Sequence, residues 1–146
     1  MKTASKFFAL FALVILWSCS NSDDDAASPD SGTISKDQVT GNWKVSYYYD
    51  NGKDETSDFS GYTFTFAADG IVTAYSSGQD YAGTWSIGEA GDDSSSSSNK
   101  LVISLSGNDR VRDLSDDWVI LSLKGDEIRL KDDSSNSVEE LHFIRE

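Results

Sequence analysis

The stretch "GYTFTFAADGIVTAY", residues 61–75, contains two strand-like runs joined by a turn-type pair. In its first half aromatic residues alternate with threonines, so the rings of Phe64 and Phe66 lie on one face of an extended strand. Asp69 and Gly70 then supply a tight turn, because glycine readily adopts the positive backbone angles that short hairpin turns require. A second apolar, β-branched run follows at once. The stretch therefore predicts a β-hairpin.

Similar alternation of apolar and polar residues recurs through the rest of the chain. The hairpin and the six further stretches give eight candidate strands, and turn-type residues separate them. "DWVILSL" is apolar on both faces, which predicts a bulge in that strand. The six stretches are "GNWKVSYYY" (41–49), "DYAGTWSIG" (80–88), "KLVISLSG" (100–107), "DWVILSL" (117–123), "GDEIRLKDD" (125–133) and "SVEELHFIRE" (137–146).

Eight short strands in sequence predict an all-β fold, an eight-stranded up-and-down antiparallel barrel. Closing the sheet removes its exposed edges. A sandwich of seven or eight strands is the alternative, although no cysteine pair brackets a tryptophan as in immunoglobulin domains. Only "ISKDQVTG" (34–41) predicts a helical turn, which Ser35 caps.

The first 18 residues have the features of a signal peptide. Lys2 and Lys6 precede an apolar run of eleven residues, 7–17. A membrane-spanning helix needs about 20 apolar residues, so the run is too short to span and fits a secretory signal. The chain's one cysteine, Cys19, follows directly. A lone thiol has no internal partner in an oxidising compartment, and plain secretion with an incidental cysteine is the alternative interpretation.

The residues Leu16-Trp17-Ser18-Cys19 resemble the lipobox of bacterial lipoproteins. This resemblance implies that residues 1–18 are cleaved and that Cys19 is lipidated, with palmitate among the expected acyl chains. Several acyl chains, at about 0.8 kcal/mol for each buried methylene, hold a protein firmly at a membrane. Residues 19–33 are rich in serine and aspartate, cannot bury enough surface to fold, and are expected to form a linker.

The residues after the cysteine bear on localisation. Ser20 stands where an aspartate retains many lipoproteins at the inner membrane, so the resemblance implies an outer-membrane protein. "SNSDDD" (20–25) is also similar to acidic tethers that lead to surface display. Display on the periplasmic face is the alternative, with the aspartates only keeping the linker extended.

The charge of the chain excludes one class of function. The formal charge is −13, and loss of the two signal-peptide lysines takes it to −15. So acidic a protein is repelled by phosphate backbones and by anionic headgroups. We therefore expect no nucleic-acid partner, and membrane contact only through the acyl anchor.

Residues 34–146 resemble the lipocalin-like domains of bacterial surface lipoproteins. Gly41-Asn42-Trp43 matches the Gly-x-Trp motif of lipocalins, and Arg145 stands where a lipocalin arginine packs on that tryptophan. The resemblance implies a barrel that Gly41, Trp43 and Arg145 close at one end, with Arg129 as a rival partner. The series that carries it is "GNWKV", "YTFTFAADGIVTA", "YAGTWSI", "KLVISL", "DDWVILSLKGDEIRLKD" and "LHFIRE".

The inward face of such a barrel offers a site for a small apolar ligand. Aromatic rings with a few hydroxyl groups suit an apolar molecule with one polar end. The alternative is an interior filled by these side chains, with a protein or glycan partner bound through the long connections 88–100 and 106–117, the second of which carries Arg110 and Arg112. The candidates are Val45, Tyr47, Tyr49, Tyr62, Phe64, Phe66, Tyr75, Tyr81 and Trp85.

Catalysis has little support in the sequence. There is no Gly-x-Ser-x-Gly motif, and the single histidine, His142, is out of phase with Leu141 and Phe143 and is expected to be exposed. One histidine cannot form a multi-histidine zinc site, and no acidic stretch has the spacing of a calcium loop. We expect no catalytic residue, no metal site and no cofactor.

Overall fold

The computed structural model describes residues 34–88, 99–134 and 138–146. The predicted signal peptide, the linker with Cys19 and most of the serine-rich connection 88–100 lie outside the described residues. Within the described ranges, no helix combines the length and the apolar character needed to cross a membrane.

Nine strands and three short helices make up the described chain. The strands are β1 (Gly41–Asp50), β2 (Lys53–Asp54), β3 (Thr63–Phe66), β4 (Ile71–Ser76), β5 (Gln79–Gly88), β6 (Lys100–Leu105), β7 (Asp117–Lys124), β8 (Glu127–Asp132) and β9 (Glu140–Arg145). The helices are α1 (Lys36–Val39), a 3₁₀ helix (Thr56–Phe59) and α2 (Asp109–Asp113). The eight predicted strands correspond to β1 and β3 through β9, and β2 is a two-residue addition.

The sheet closes on itself. Strands β1 and β3 through β9 pair antiparallel in sequence order, and β9 returns to pair with β1. At this closure Trp43 lies opposite Arg145, and Tyr49 lies opposite Glu140. The prediction of an eight-stranded antiparallel barrel is confirmed, and the sandwich alternative is not observed.

Apolar side chains from every long strand fill the barrel. Their rings meet edge to face, as aromatic rings prefer: Phe64 packs on Phe143 with centroids 5.5 Å apart, and Phe66 packs on Trp85 at 5.6 Å. The largest fully buried side chains are Trp43, Trp118, Tyr48, Phe64, Phe66, Phe143, Leu101, Leu114, Ile128, Leu130, Leu141 and Val39.

A bulge in β1 reverses the alternation that the sequence predicts. The register with β9 shifts between Val45 and Tyr47. An extra residue moves every later side chain to the opposite face. Tyr48 is therefore buried at 2% exposure, whereas Tyr47 and Tyr49 are half-buried on the outer face. The expectation that these two tyrosines point into the barrel is wrong.

The apolar strand β7 contains the bulge that its sequence predicts. Its register with β8 shifts between Ile120 and Ser122. Ile120 and Leu123 pack against the core, whereas Leu121 is exposed. The shift explains how one strand is apolar on both faces.

The end of the barrel at the start of β1 is closed by an arginine stacked on a tryptophan. The Arg145 guanidinium carbon lies 4.3 Å from the centroid of the Trp43 ring. The indole nitrogen of Trp43 donates to the Val39 carbonyl oxygen at 2.7 Å. Gly41 has a φ of 136°, which favours glycine, and a Cβ there would meet Arg145 Nη1, so a larger residue would displace the guanidinium. Arg129, the rival, pairs with Glu127 instead.

The opposite end, which we call the mouth, carries the connections β1–β3, β4–β5, β6–β7 and β8–β9. Two of these connections block it. Phe59, at the end of the 3₁₀ helix, packs edge to face on Tyr48 with centroids 5.2 Å apart. Val111 of α2 and Leu114 just after it are fully buried in the same core. The two short helices therefore plug the mouth of a filled barrel.

Candidate functional site

A pocket of about 350 Å³ opens at the mouth, outside the plugged interior. Three connections that are distant in sequence converge there: the 3₁₀ helix with the residues after it, the β4–β5 turn, and α2. The lining residues are Ser57, Asp58, Ser60, Tyr62, Ser76, Ser77, Gln79, Tyr81 and Arg110. The volume is that of a site for a small molecule.

Two tyrosines form one wall of the pocket, and little of their rings is accessible, since Tyr62 is 7% exposed and Tyr81 packs against the core. The rings of Tyr62 and Tyr81 are inclined at 31°, with centroids 6.5 Å apart. Asn108 Nδ2 donates to the Tyr62 hydroxyl at 3.0 Å, and the Asn108 side-chain oxygen accepts from the Val111 amide at 3.1 Å, capping α2. The ring of Tyr62 is thus fixed by the same residue that begins the helix.

Gly107 gives Tyr81 the space that it occupies. A Cβ at Gly107 would lie 2.3 Å from Cδ1 of Tyr81 and 2.9 Å from a methyl carbon of Val111. No side chain fits between the tyrosine ring and α2. The wall of the pocket therefore depends on a glycine that the sequence presents only as a loop residue.

The remaining lining is polar. Ser77 and Gly78 form the two-residue β4–β5 turn, both at positive φ (52° and 80°), which is the geometry that joins antiparallel strands tightly. Across the pocket, Asp58 Oδ2 lies 3.9 Å from Arg110 Nε, and the two side chains are 42% and 56% exposed. Hydroxyl, amide, carboxylate and guanidinium groups thus face one aromatic wall.

This combination suits a sugar better than a lipid. Because Tyr62 is buried and Tyr81 packs against the core, the accessible lining of the pocket is mainly polar. The hydroxyl groups around a pyranose ring need both donors and acceptors, which serine, glutamine, aspartate and arginine supply. An alkyl chain would leave these polar groups desolvated and unpaired, at a cost in binding free energy.

The structure divides the predicted ligand residues into three groups. Tyr62, Phe64, Phe66 and Trp85 are buried. Val45 and Tyr81 are half-buried against the core, and Tyr81 also lines the pocket. Tyr47, Tyr49 and Tyr75 lie outside, Tyr75 at 49% exposure. Only Tyr62 and Tyr81 of the nine candidates reach the pocket.

The polar lining was missed because its members come from separate connections with no shared motif. Arg110 is the exception, since its long connection is a predicted partner-binding rim. The other polar residues lie beside turns, where serine and aspartate are common for conformational reasons alone.

His142 is buried, contrary to the prediction that it is exposed. Its side chain does lie out of phase with Leu141 and Phe143, yet it is only 8% exposed. The bulge in β1 brings the Tyr47 ring over it, at 5.0 Å between centroids. Its Nε2 lies 2.6 Å from Glu140 Oε1. Cross-strand packing on the outer face therefore covers the histidine.

A group of carboxylates lies elsewhere at the mouth. Asp116, Asp132 and Glu139 bring one oxygen each within 4.8 Å of one another. Burial and a hydrogen bond shared with Asp50 raise the pKa of Glu139 to about 7. Asp132 accepts hydrogen bonds from the amide and the hydroxyl of Ser134. Carboxylate oxygens of this type are ligands that Ca²⁺ prefers. Because three separate segments of the chain supply them, the group cannot be recognised from a calcium-loop motif in the sequence.

No protein-family model, curated protein or solved structure matches this chain. The likeness to lipocalins therefore rests on the quoted residues and on the closed eight-stranded barrel.

Proposed function

We propose that this protein is a lipid-anchored outer-membrane lipoprotein, displayed at the cell surface, that binds a glycan in the mouth pocket and is not an enzyme. The observation that carries the proposal is the pocket itself, in which Tyr62 and Tyr81 face hydroxyl, carboxylate and guanidinium groups. In this account the barrel is the scaffold that holds three loops in place.

The filled interior supports this function over binding of an apolar ligand inside the barrel. Phe64 and Phe66 are at most 1% exposed and pack on Phe143. An apolar ligand would have to displace these contacts, at about the cost of disrupting a packed core. Binding of a small apolar ligand stays as the competing prediction from the sequence.

The anchoring part of the proposal is supported by the signal-like residues 1–18 and by Cys19 after the lipobox-like residues. We expect labelled palmitate to be incorporated by the wild-type protein and not by Cys19→Ala. Protease treatment of whole cells then separates surface display from the periplasmic face. Labelling of Cys19→Ala, with retention in the membrane fraction, would overturn the anchor.

Substitution of Tyr81 tests the glycan site. We expect Tyr81→Ala to weaken saccharide binding roughly tenfold, because it removes a hydroxyl group and a side chain that line the pocket. Binding is measured by NMR titration of the full-length protein, in a detergent that contains no sugar, with glucose, galactose, mannose and their disaccharides.

Tyr75→Ala is the matched control, since Tyr75 is on the adjacent strand and 49% exposed but does not line the pocket. It should leave saccharide affinity unchanged. Absence of saccharide binding in the wild-type protein, or equal losses in the two variants, would contradict the proposal.

A further inference from the structure

Arg110 is the one cationic side chain among the described residues that line the mouth pocket. Its contact with Asp58 spans 3.9 Å from Nε to Oδ2. A hydrogen bond of this type is about 2.7–3.2 Å long, so this contact is an electrostatic one only. The side chain is 56% exposed, and its N–H groups are accessible from the pocket.

Arg112 and Arg145 serve as comparisons, and the guanidinium groups of both already donate hydrogen bonds within the protein. Arg112, on the same helix, hydrogen-bonds to Asp109. Arg145 donates to three backbone carbonyl oxygens and lies over Trp43. In Arg110 the planar set of donors that matches a carboxylate is left available.

The hydroxyl groups that line the pocket with Arg110 also favour a carboxylate as the bound group. Ser57, Ser60, Ser76 and Ser77 line the pocket. A carboxylate held by a guanidinium keeps lone pairs that accept from such hydroxyl groups. Asp58, in contrast, repels a carboxylate but accepts hydrogen bonds from alcohols. A ligand that binds both Arg110 and Asp58 therefore carries an acid group and neighbouring hydroxyl groups.

We infer that the glycan bound in the mouth pocket contains a sugar acid of the uronic acid type, whose carboxylate binds Arg110 and whose hydroxyl groups bind the serine and aspartate side chains of the lining. The inference rests on the proposed glycan binding and narrows it to acidic sugars. The net charge, −13 for the full chain and −15 without the two signal-peptide lysines, repels an anion at long range. At physiological salt that repulsion is screened beyond about 8 Å, so the contact inside the pocket decides the preference.

The test compares each uronic acid with its neutral parent sugar. The full-length protein, in a zwitterionic detergent without sugar, is titrated by NMR with glucuronic, galacturonic and mannuronic acids and with glucose, galactose and mannose. We expect at least one acid to bind about tenfold more tightly than its parent, the ratio that hydrogen bonds to a charged group supply. Arg110→Gln should remove this preference, so that the acid binds no more tightly than its neutral parent sugar.

Arg112→Gln is the matched control, because Arg112 lies on the same helix with a similar exposure of 59% and does not line the pocket. It should keep the preference for the acid. Equal binding of acid and parent sugars would overturn the inference and leave the glycan site standing. Absence of binding by both sets would overturn the proposed function as well. A preference that survives in Arg110→Gln would show that another group binds the carboxylate.

Discussion

Arg145 shows how much a single side chain contributes to closing this barrel. Its guanidinium donates to the carbonyl oxygens of Gln38, Thr40 and Gly125, each at 3.1 Å. The same group covers the ring of Trp43. One residue near the end of the chain thus links α1, the start of β1 and the β7–β8 turn.

Replacing Arg145 tests this role. We expect Arg145→Leu to lower the free energy of unfolding by about 2 kcal/mol, since it removes a cation–π contact and leaves three carbonyl oxygens without a donor. Urea unfolding followed by tryptophan fluorescence measures the change. Arg129→Leu, which loses an exposed pair with Glu127, should cost no more than about 0.5 kcal/mol. Equal losses in the two variants would show that Arg145 is an ordinary surface residue.

At the scale of elements, the sequence predicts strands well and their faces less well. Alternation in "TFTF" gives the correct inward face for β3, because this short strand has no irregularity. In β1 the run of three tyrosines, Tyr47 to Tyr49, offers no difference in polarity by which to detect the bulge. The alternation therefore places Tyr47 and Tyr49 on the inward face, which is wrong, and it gives no sign that the Tyr47 ring covers His142.

The connection between β8 and β9 makes stability depend on pH. Glu139 lies near Asp50, Asp116 and Asp132, and its pKa is raised from 4.5 to about 7. Burial raises the pKa values of Asp113 and Asp116 as well. Between pH 4.5 and pH 7 the folded protein therefore binds more protons than the unfolded chain. The free energy of unfolding must fall as pH rises through this window.

We expect this fall to be about 1 kcal/mol for Glu139, because partial exposure to solvent screens the repulsion. Urea unfolding at a series of pH values measures it. Glu139→Gln should flatten the dependence of the free energy of unfolding on pH. Glu127 lies at the opposite end of the barrel, so Glu127→Gln should leave that dependence unchanged. A wild-type stability that rises steadily over the window would refute this assignment.

For the whole molecule, the sequence predicts that the sheet closes into a barrel, but it does not predict the pocket at the mouth. Eight alternating stretches, a Gly-x-Trp motif and a late arginine are enough to suggest a closed barrel. The pocket arises from the spatial convergence of Asp58, Ser77 and Arg110, which are far apart in the chain. That convergence depends on the curvature of the sheet and on how the two short helices pack in the mouth.

We propose that this barrel is a filled scaffold and that ligands bind at its mouth. Chemical-shift mapping of the full-length protein tests it most directly, with the six sugars in one series and fatty acids, retinoids and haem in another. We expect the sugars to shift the signals of Ser57, Ser77 and Arg110, and the apolar compounds to leave the signals of Phe64 and Trp85 unchanged. Saturable shifts of Phe64 and Trp85 with an apolar compound, and none at the mouth with sugars, would contradict it.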